Sequence, residues 1–213
     1  MSQHLAVFDF DGTLADSFDA FLVCLNEAAK RHGFRGIAPD ATEEPRKMSG
    51  RQLMDHLGIP FWKVPAIAVD MRQRVLEHID MVRPFPGTAE ALRAIADRGT
   101  ALALVTSNSR EAVHTVLGAE TLALFAQVHC GASLFGKRFK LQELLWSNRL
   151  KPQQVVYVGD EIRDAEAAAA VGVGFLGVAW GFTRAAEFQQ YCRHPLLERM
   201  EDLPAAIAEV LPG

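Results

Sequence analysis

The chain has 213 residues, 49% of them hydrophobic and 23% charged, with a formal net charge of −4. That is ordinary globular usage, and it excludes collagen-like, low-complexity and disorder-dominated classes. The acidic balance argues against a general binder of phosphate backbones, so no nucleic-acid partner is expected. No apolar run approaches the ~20 residues of a membrane span, so no membrane partner is expected either.

The N-terminus enters an apolar run without a basic segment or a cleavage site, so no secretory signal is evident and the cytoplasm is the default compartment. Cys24, Cys130 and Cys192 are an odd, scattered set without metal spacing, and they read as reduced thiols.

In chain order, Leu5-Ala6-Val7-Phe8 is the first short apolar run. Ala101 to Val105, Val155 to Val158 and Val173 to Val178 follow it. Runs apolar on both faces are the signature of central parallel strands. Helical segments lie between them, over about 87–98, 109–117, 138–149 and 162–171, with a C-terminal helix from Leu203 to Leu211. Pro86-Gly87-Thr88 and Gly99 mark the start and stop of the first. Alternating strands and helices predict an α/β fold with a doubly wound, Rossmann-like parallel sheet.

One stretch departs from the alternation. Between Ser17 and Arg83 helical periods run from Phe18 to Arg31, Gly50 to Leu57 and Trp62 to Asp80, punctuated by Pro39, Pro45, Pro60 and Pro65. Arg83-Pro84-Phe85-Pro86 then reads as an extended connector. An all-helical stretch of roughly 65 residues is too long for an ordinary crossover. The expected organisation is a small α-helical domain, 17–83, inserted into a core made of 1–16 and 84–213. The alternative is a decorated crossover lying flat on the sheet.

The chemistry is concentrated at the ends of the strands, where open parallel sheets bind their ligands. The first run leads into Asp9-Phe10-Asp11-Gly12-Thr13, the second into Thr106-Ser107-Asn108, the third into Gly159-Asp160-Glu161 with Asp164 one turn on. Alternation along a strand would put Asp9 and Asp11 on the same side. Asp9, Asp11, Asp160, Glu161 and Asp164 together make a cluster best explained by a hard divalent cation with oxygen ligands, Mg²⁺ above others.

An anion site is expected opposite. Gly12 permits close backbone approach. Ser107 and Asn108 precede a helix N-terminus, and Thr106 adds a hydroxyl. Lys137 and Lys140 are the two cations placed to face the anion. Lys137 is preferred because it precedes the helix expected near Phe139.

At these residues the chain resembles the haloacid dehalogenase superfamily. Asp9-Phe10-Asp11-Gly12-Thr13-Leu14-Ala15-Asp16-Ser17 is similar to its first motif, Thr106 to its second, and Gly159-Asp160-Glu161-Ile162-Arg163-Asp164 to its fourth. Among its members the phosphoglycolate phosphatase-like proteins, which carry a small helical cap at the place of the insert, are the most similar.

The resemblance implies a Mg²⁺-dependent phosphatase acting on a small phosphomonoester. Asp9 would be the nucleophile, forming an aspartyl-phosphate, and Asp11 the acid and base. Thr106 and Lys137 would hold the transferring group. Asp9, the Asp11 carbonyl and Asp160 would hold the metal, with Glu161 or Asp164 on its waters. Haloacid dehalogenases proper lack the second Asp, so Asp11 directs the expectation to phosphoryl transfer. A sugar-phosphate mutase and a non-catalytic phosphoacceptor or binding protein are the alternatives. Monomer and homodimer both stay open.

Arg46-Lys47-Met48-Ser49-Gly50-Arg51 offers an arginine, Arg51, for a second anionic group of a substrate. Trp180-Gly181-Phe182 either walls the site or forms a simple turn.

Overall fold

Leu5, Ala6, Val7 and Phe8 are all buried, because the strand they form has helices on both of its faces. The computed structural model describes residues 4–132 and 136–211. In chain order the elements begin with β1 (Leu5–Phe8), β2 (Ala15–Asp16), α1 (Phe18–His32), α2 (Gly50–Leu57), α3 (Val64–Glu77) and β3 (Arg83–Pro84). They continue with α4 (Thr88–Asp97), β4 (Ala101–Val105), α5 (Arg110–Leu122), β5 (Phe125–His129) and α6 (Lys137–Asn148). The last are β6 (Val155–Gly159), α7 (Ile162–Val171), β7 (Gly174–Gly177), α8 (Ala185–Phe188) and α9 (Leu203–Val210).

Five strands form one parallel sheet in the order β5-β4-β1-β6-β7. From β1 the chain builds towards β5, then returns through α6 to β6 on the other side. The order therefore reverses between β1 and β6, and that crevice is where doubly wound sheets bind ligands.

Side-chain alternation divides the interior in two. Ala6, Phe8, Leu102, Leu104, Val156 and Val158 pack with Leu92, Ile95, Val113 and Ile207 of α4, α5 and α9. Leu5, Val7, Ala103, Val105, Val155 and Tyr157 pack with Leu141, Leu144, Ala167 and Ala168 of α6 and α7. These alternating residues fix the register, because a slip by one position would exchange the two faces.

The helices α1, α2 and α3 lie in the chain between two short strands that pair antiparallel, Ala15 with Pro84 and Asp16 with Arg83. They have an apolar cluster of their own, in which Leu25, Ile37 and Leu57 are buried. Ser49 and Gln52 form a reciprocal capping box at the start of α2, and Gly58 closes it in the left-handed conformation.

Several expectations are corrected in detail. The helix expected from Trp62 to Asp80 is broken into a tight turn at Phe61–Lys63, α3, and a second turn at Ile79–Met81. The helix expected to stop near residue 117 runs on to Leu122 through a kink at Gly118, whose φ is 74°. The strand β5 was not anticipated. Its sequence Phe-Ala-Gln-Val-His mixes polar and apolar residues because it is the sheet's edge.

Candidate active site

The site grows out of the same alternation that builds the core. β1 stops at Phe8; Asp9 still donates its backbone N–H to Val158 O at 3.0 Å, whereas Asp11 lies past the ladder, beside the turn at Gly12. The strand rule expected to align them does not apply, and the two acids hold different partners.

Asp9 is 2% exposed. It follows Leu5 and Val7, which face α6, and the first residue of α6 reaches it. The Lys137 ammonium donates to Asp9 Oδ2 at 2.5 Å and to Asp164 Oδ1 at 2.6 Å, and Lys137 is itself buried. Lys140, one turn along, instead pairs with Glu143 at the surface. Lys137 is therefore the lysine inside the site.

Asp164 is fully engaged. Besides Lys137 it accepts the Tyr157 hydroxyl at 3.0 Å and the Glu161 backbone N–H at 3.2 Å. Tyr157 lies in β6 beneath it, with the Lys137 ammonium 5.9 Å from its ring centre. Asp160 is completely buried. It accepts the Thr13 hydroxyl at 2.8 Å and the Phe182 backbone N–H at 2.7 Å. A Cβ on Gly12, which sits at φ +74°, or on Gly181 would overlap the Asp160 carboxylate. Both positions have to be glycine for that acid to lie where it does.

Asp9, Asp160 and Asp164 each bring one carboxylate oxygen within 4.8 Å of the others. Burial pushes the Asp9 carboxyl up to about 7, against the pull of Lys137, and pushes Asp160 well above its ordinary range. For Lys137, burial alone would lower the pKa, but Asp164 and Asp9 outweigh it and hold the ammonium above the usual lysine value. Asp9, Asp160 and Asp164 bring three buried carboxylates together, and the Lys137 ammonium touches two of them. An all-oxygen, buried donor set with excess negative charge fits a hard divalent ion such as Mg²⁺.

Asp11 is outside this triad. It is half-buried and accepts from the Ser17 hydroxyl at 3.0 Å and the Asn108 amide at 3.3 Å. Burial raises its pKa, and these two donors counter the rise. Asn108 in turn receives support from below. Its backbone N–H donates to the Thr106 hydroxyl oxygen at 3.0 Å, and Thr106 is itself buried. Ser109 is the helix cap of α5, accepting from the Ala112 N–H at 3.1 Å, so the neighbouring Ser107 is spared that task.

Two expected residues are placed elsewhere. Glu161 does not join the acidic triad. Its carboxylate accepts from Arg163 Nε at 2.7 Å. Arg51 is exposed on α2 and does not line the cavity beside the site. Arg46 lines it instead, with its Nη2 donating to Gly181 O at 2.7 Å, its Nε to Phe182 O at 3.1 Å and its guanidinium 4.7 Å from the Phe18 ring centre.

Sequence reasoning missed Thr13, Ser17, Tyr157 and Arg163. Thr13 and Ser17 lie within the first motif and Arg163 within the fourth, which was the available signal. Tyr157 was hidden as one more apolar strand residue. Of Trp180 and Phe182, Phe182 binds Asp160 through its backbone N–H and lines the cavity, whereas Trp180 does not line it and donates from Nε1 to Thr13 O at 3.1 Å.

A family model of haloacid dehalogenase-like hydrolases matches residues 6–178. The chain belongs to that family. It is 31% identical over 206 residues to a phosphoglycolate phosphatase of Synechococcus elongatus, covering 96% of this chain and 97% of that protein. A phosphoglycolate phosphatase of Vibrio vulnificus is 28% identical over 84% of each chain. Among solved structures, a hydrolase from Pseudomonas syringae superposes with a TM-score of 0.78 at 19% identity, covering 99% of this chain and 100% of that one, which shows the shared fold. Within the family the chain is a phosphoglycolate phosphatase-like hydrolase. Among the described residues no helix is long and apolar enough to cross a membrane.

Proposed function

We propose that the protein is a Mg²⁺-dependent phosphatase that hydrolyses a small phosphomonoester through an aspartyl-phosphate on Asp9. The observation that carries this reading is the Lys137 ammonium held between Asp9 and Asp164, beside Asp160, in the crevice between β1 and β6. A carboxylate nucleophile must approach an anionic phosphate, so positive charge has to be fixed around it beforehand.

Asp9 and Asp160 would hold the metal, which when bound supplies further positive charge to the phosphate oxygens. Lys137 neutralises Asp9 before substrate arrives and then turns to a phosphate oxygen. Asp9 Oδ forms its bond to phosphorus as the ester P–O bond breaks. Asp11 gives its proton to the departing alkoxide, from its place beside Asn108 and Ser17. In the second half Asp11 takes a proton from a water that attacks the phosphorus, and phosphate leaves as the Asp9 carboxylate is restored. Asp164, held by Tyr157, keeps Lys137 in place. The helical stretch 17–83 acts as a cap over the site.

The test is phosphate release from p-nitrophenyl phosphate, with and without Mg²⁺, for the wild type and for Asp9→Asn. The expected result is metal-dependent release that falls to background in Asp9→Asn. Release that survives the substitution overturns the assignment.

A further inference from the structure

The turn at Pro45–Lys47, between α1 and α2, is bonded to the loop that follows β7. Arg46 donates from Nη2 to Gly181 O at 2.7 Å and from Nε to Phe182 O at 3.1 Å. Its own carbonyl accepts the Arg184 N–H at 2.8 Å, and Glu43 pairs with the Arg184 side chain. Aromatic rings reinforce the contact. The Phe182 ring lies 5.2 Å from that of Phe18 and 5.4 Å from that of Phe21, both on α1, and the Arg46 guanidinium lies 4.7 Å from the Phe18 ring centre.

The same loop holds an acid of the site. The Phe182 backbone N–H donates to Asp160 Oδ2 at 2.7 Å, and a Cβ on Gly181 would overlap the Asp160 side chain. One peptide unit therefore spans the distance from Arg46 to Asp160. Its carbonyl, that of Gly181, ends on the guanidinium, and its N–H, that of Phe182, ends on the carboxylate. A peptide unit is planar and turns as a whole, so a carbonyl released from Arg46 also frees the N–H to swing away from Asp160. A charged donor on the carbonyl further polarises the unit and strengthens the bond its N–H makes.

We propose that Arg46 is a positioning residue for the metal site: through the 181–182 peptide it sets the Asp160 carboxylate, so that docking of the turn at residue 46 and binding of Mg²⁺ favour each other. The inference rests on the reading of Asp160 as a metal ligand given above. Hydrogen bonds behind a ligating carboxylate fix its direction before the ion arrives, and they are worth about 10- to 100-fold in metal affinity. Coupling of this kind is reciprocal. Its sign also separates it from bulk charge. Arg46 is a cation, so by Coulomb's law alone its removal tightens the binding of another cation. Loss of the peptide's support weakens it.

The experiment counts free Mn²⁺ by electron paramagnetic resonance, with Mg²⁺ as competitor and no substrate present. The expected result is a dissociation constant about tenfold higher in Arg46→Met than in the wild type. Arg46→Lys keeps the charge but loses the fork that serves two carbonyls, and should fall between them. Lys47→Ala removes the neighbouring surface cation, which pairs with Glu44, and should leave the affinity unchanged.

Hydrogen exchange gives the reciprocal readout. Mg²⁺ should slow exchange over residues 43–48 in the wild type, and much less in Arg46→Met. Protection of β1, β4 and β6 reports that the variant is folded. Should Arg46→Met fail to fold, Phe18→Leu carries the same test, because it removes the ring that both Arg46 and Phe182 touch, and it too should weaken Mn²⁺ binding.

Equal or tighter Mn²⁺ binding in Arg46→Met overturns this inference and leaves the metal reading intact. So does a rise in KM for p-nitrophenyl phosphate with the Mn²⁺ constant unmoved, which would assign Arg46 to the substrate alone. A wild type that binds neither Mn²⁺ nor Mg²⁺ overturns both.

Discussion

The sheet and the inserted helices solve the problem of burial differently. In the sheet, every residue of β1 is buried and both faces are covered, so apolar packing is continuous from α9 through to α6. From α1 to α3 the apolar cluster has Leu25, Ile37 and Leu57 as its buried members, with half-buried side chains around them, and charge helps hold the seam between α1 and α3. Arg74 bonds Glu27 at 2.6 Å and Asp70 at 3.2 Å, while Asp70 also accepts from Arg31 and His32, each at 3.0 Å. Packing is dense around the strand ends that carry Asp9, Asp160 and Asp164, and looser within α1–α3. Fewer buried apolar contacts mark the region that opens more readily by local unfolding.

The largest expected effect probes the sheet. Phe8→Ala removes a fully buried ring that packs edge-on against Phe125, and should cost about 3–5 kcal/mol, seen as a lower urea midpoint for the whole molecule. Leu57→Ala should cost about 2 kcal/mol, at the low end for such changes, because its neighbours are half-buried and can settle. Its effect should be local. Hydrogen exchange in α1 and α3 should quicken while β1, β4 and β6 stay protected, and uniform quickening would contradict the division drawn here.

The smallest effect is one of pH. Burial tends to raise the Asp70 carboxyl, but Arg74, His32 and Arg31 outweigh it and hold its pKa below the ordinary value. A carboxyl depressed in the folded state stabilises above the unfolded pKa of about 3.9, and that contribution is lost as pH falls through the folded value. Thermal unfolding followed from pH 6 to pH 3 should show a shallower loss in Arg74→Met than in the wild type.

Much of this was legible in the chain. Runs of four or five apolar residues marked β1, β4 and β6, and the acids and hydroxyls directly after them marked the site, because strand ends converge on one edge. What the sequence did not disclose depends on contacts between distant segments. Lys137 and Lys140 differ by one helical turn, and only the packing of α6 against β1 shows which meets Asp9. Glu161 and Asp164 are equally acidic, yet Arg163 captures the first and Tyr157 with Lys137 the second. Arg46 and Arg51 lie in the same basic loop and helix start, but only Arg46 reaches the loop at Gly181. Asp9 and Asp11 looked like an aligned pair until the strand proved to end before them.

The paired strands β2 and β3 carry one more consequence. Asp16 and Arg83 are cross-strand neighbours, so the chain leaves the sheet and returns to it at the same point. Geometrically the helices are an insertion on a closed loop: a two-residue hairpin turn could join the two strands without disturbing β1 or β4. A shortened chain of that kind would retain Asp9, Lys137, Asp160 and Asp164, and would lose Ser17 from beside Asp11. The helices and the sheet can thus be exchanged separately, one graft at a time, with the Asp11–Ser17 hydrogen bond and the Arg46 bonds to Gly181 and Phe182 as the stitches to be remade.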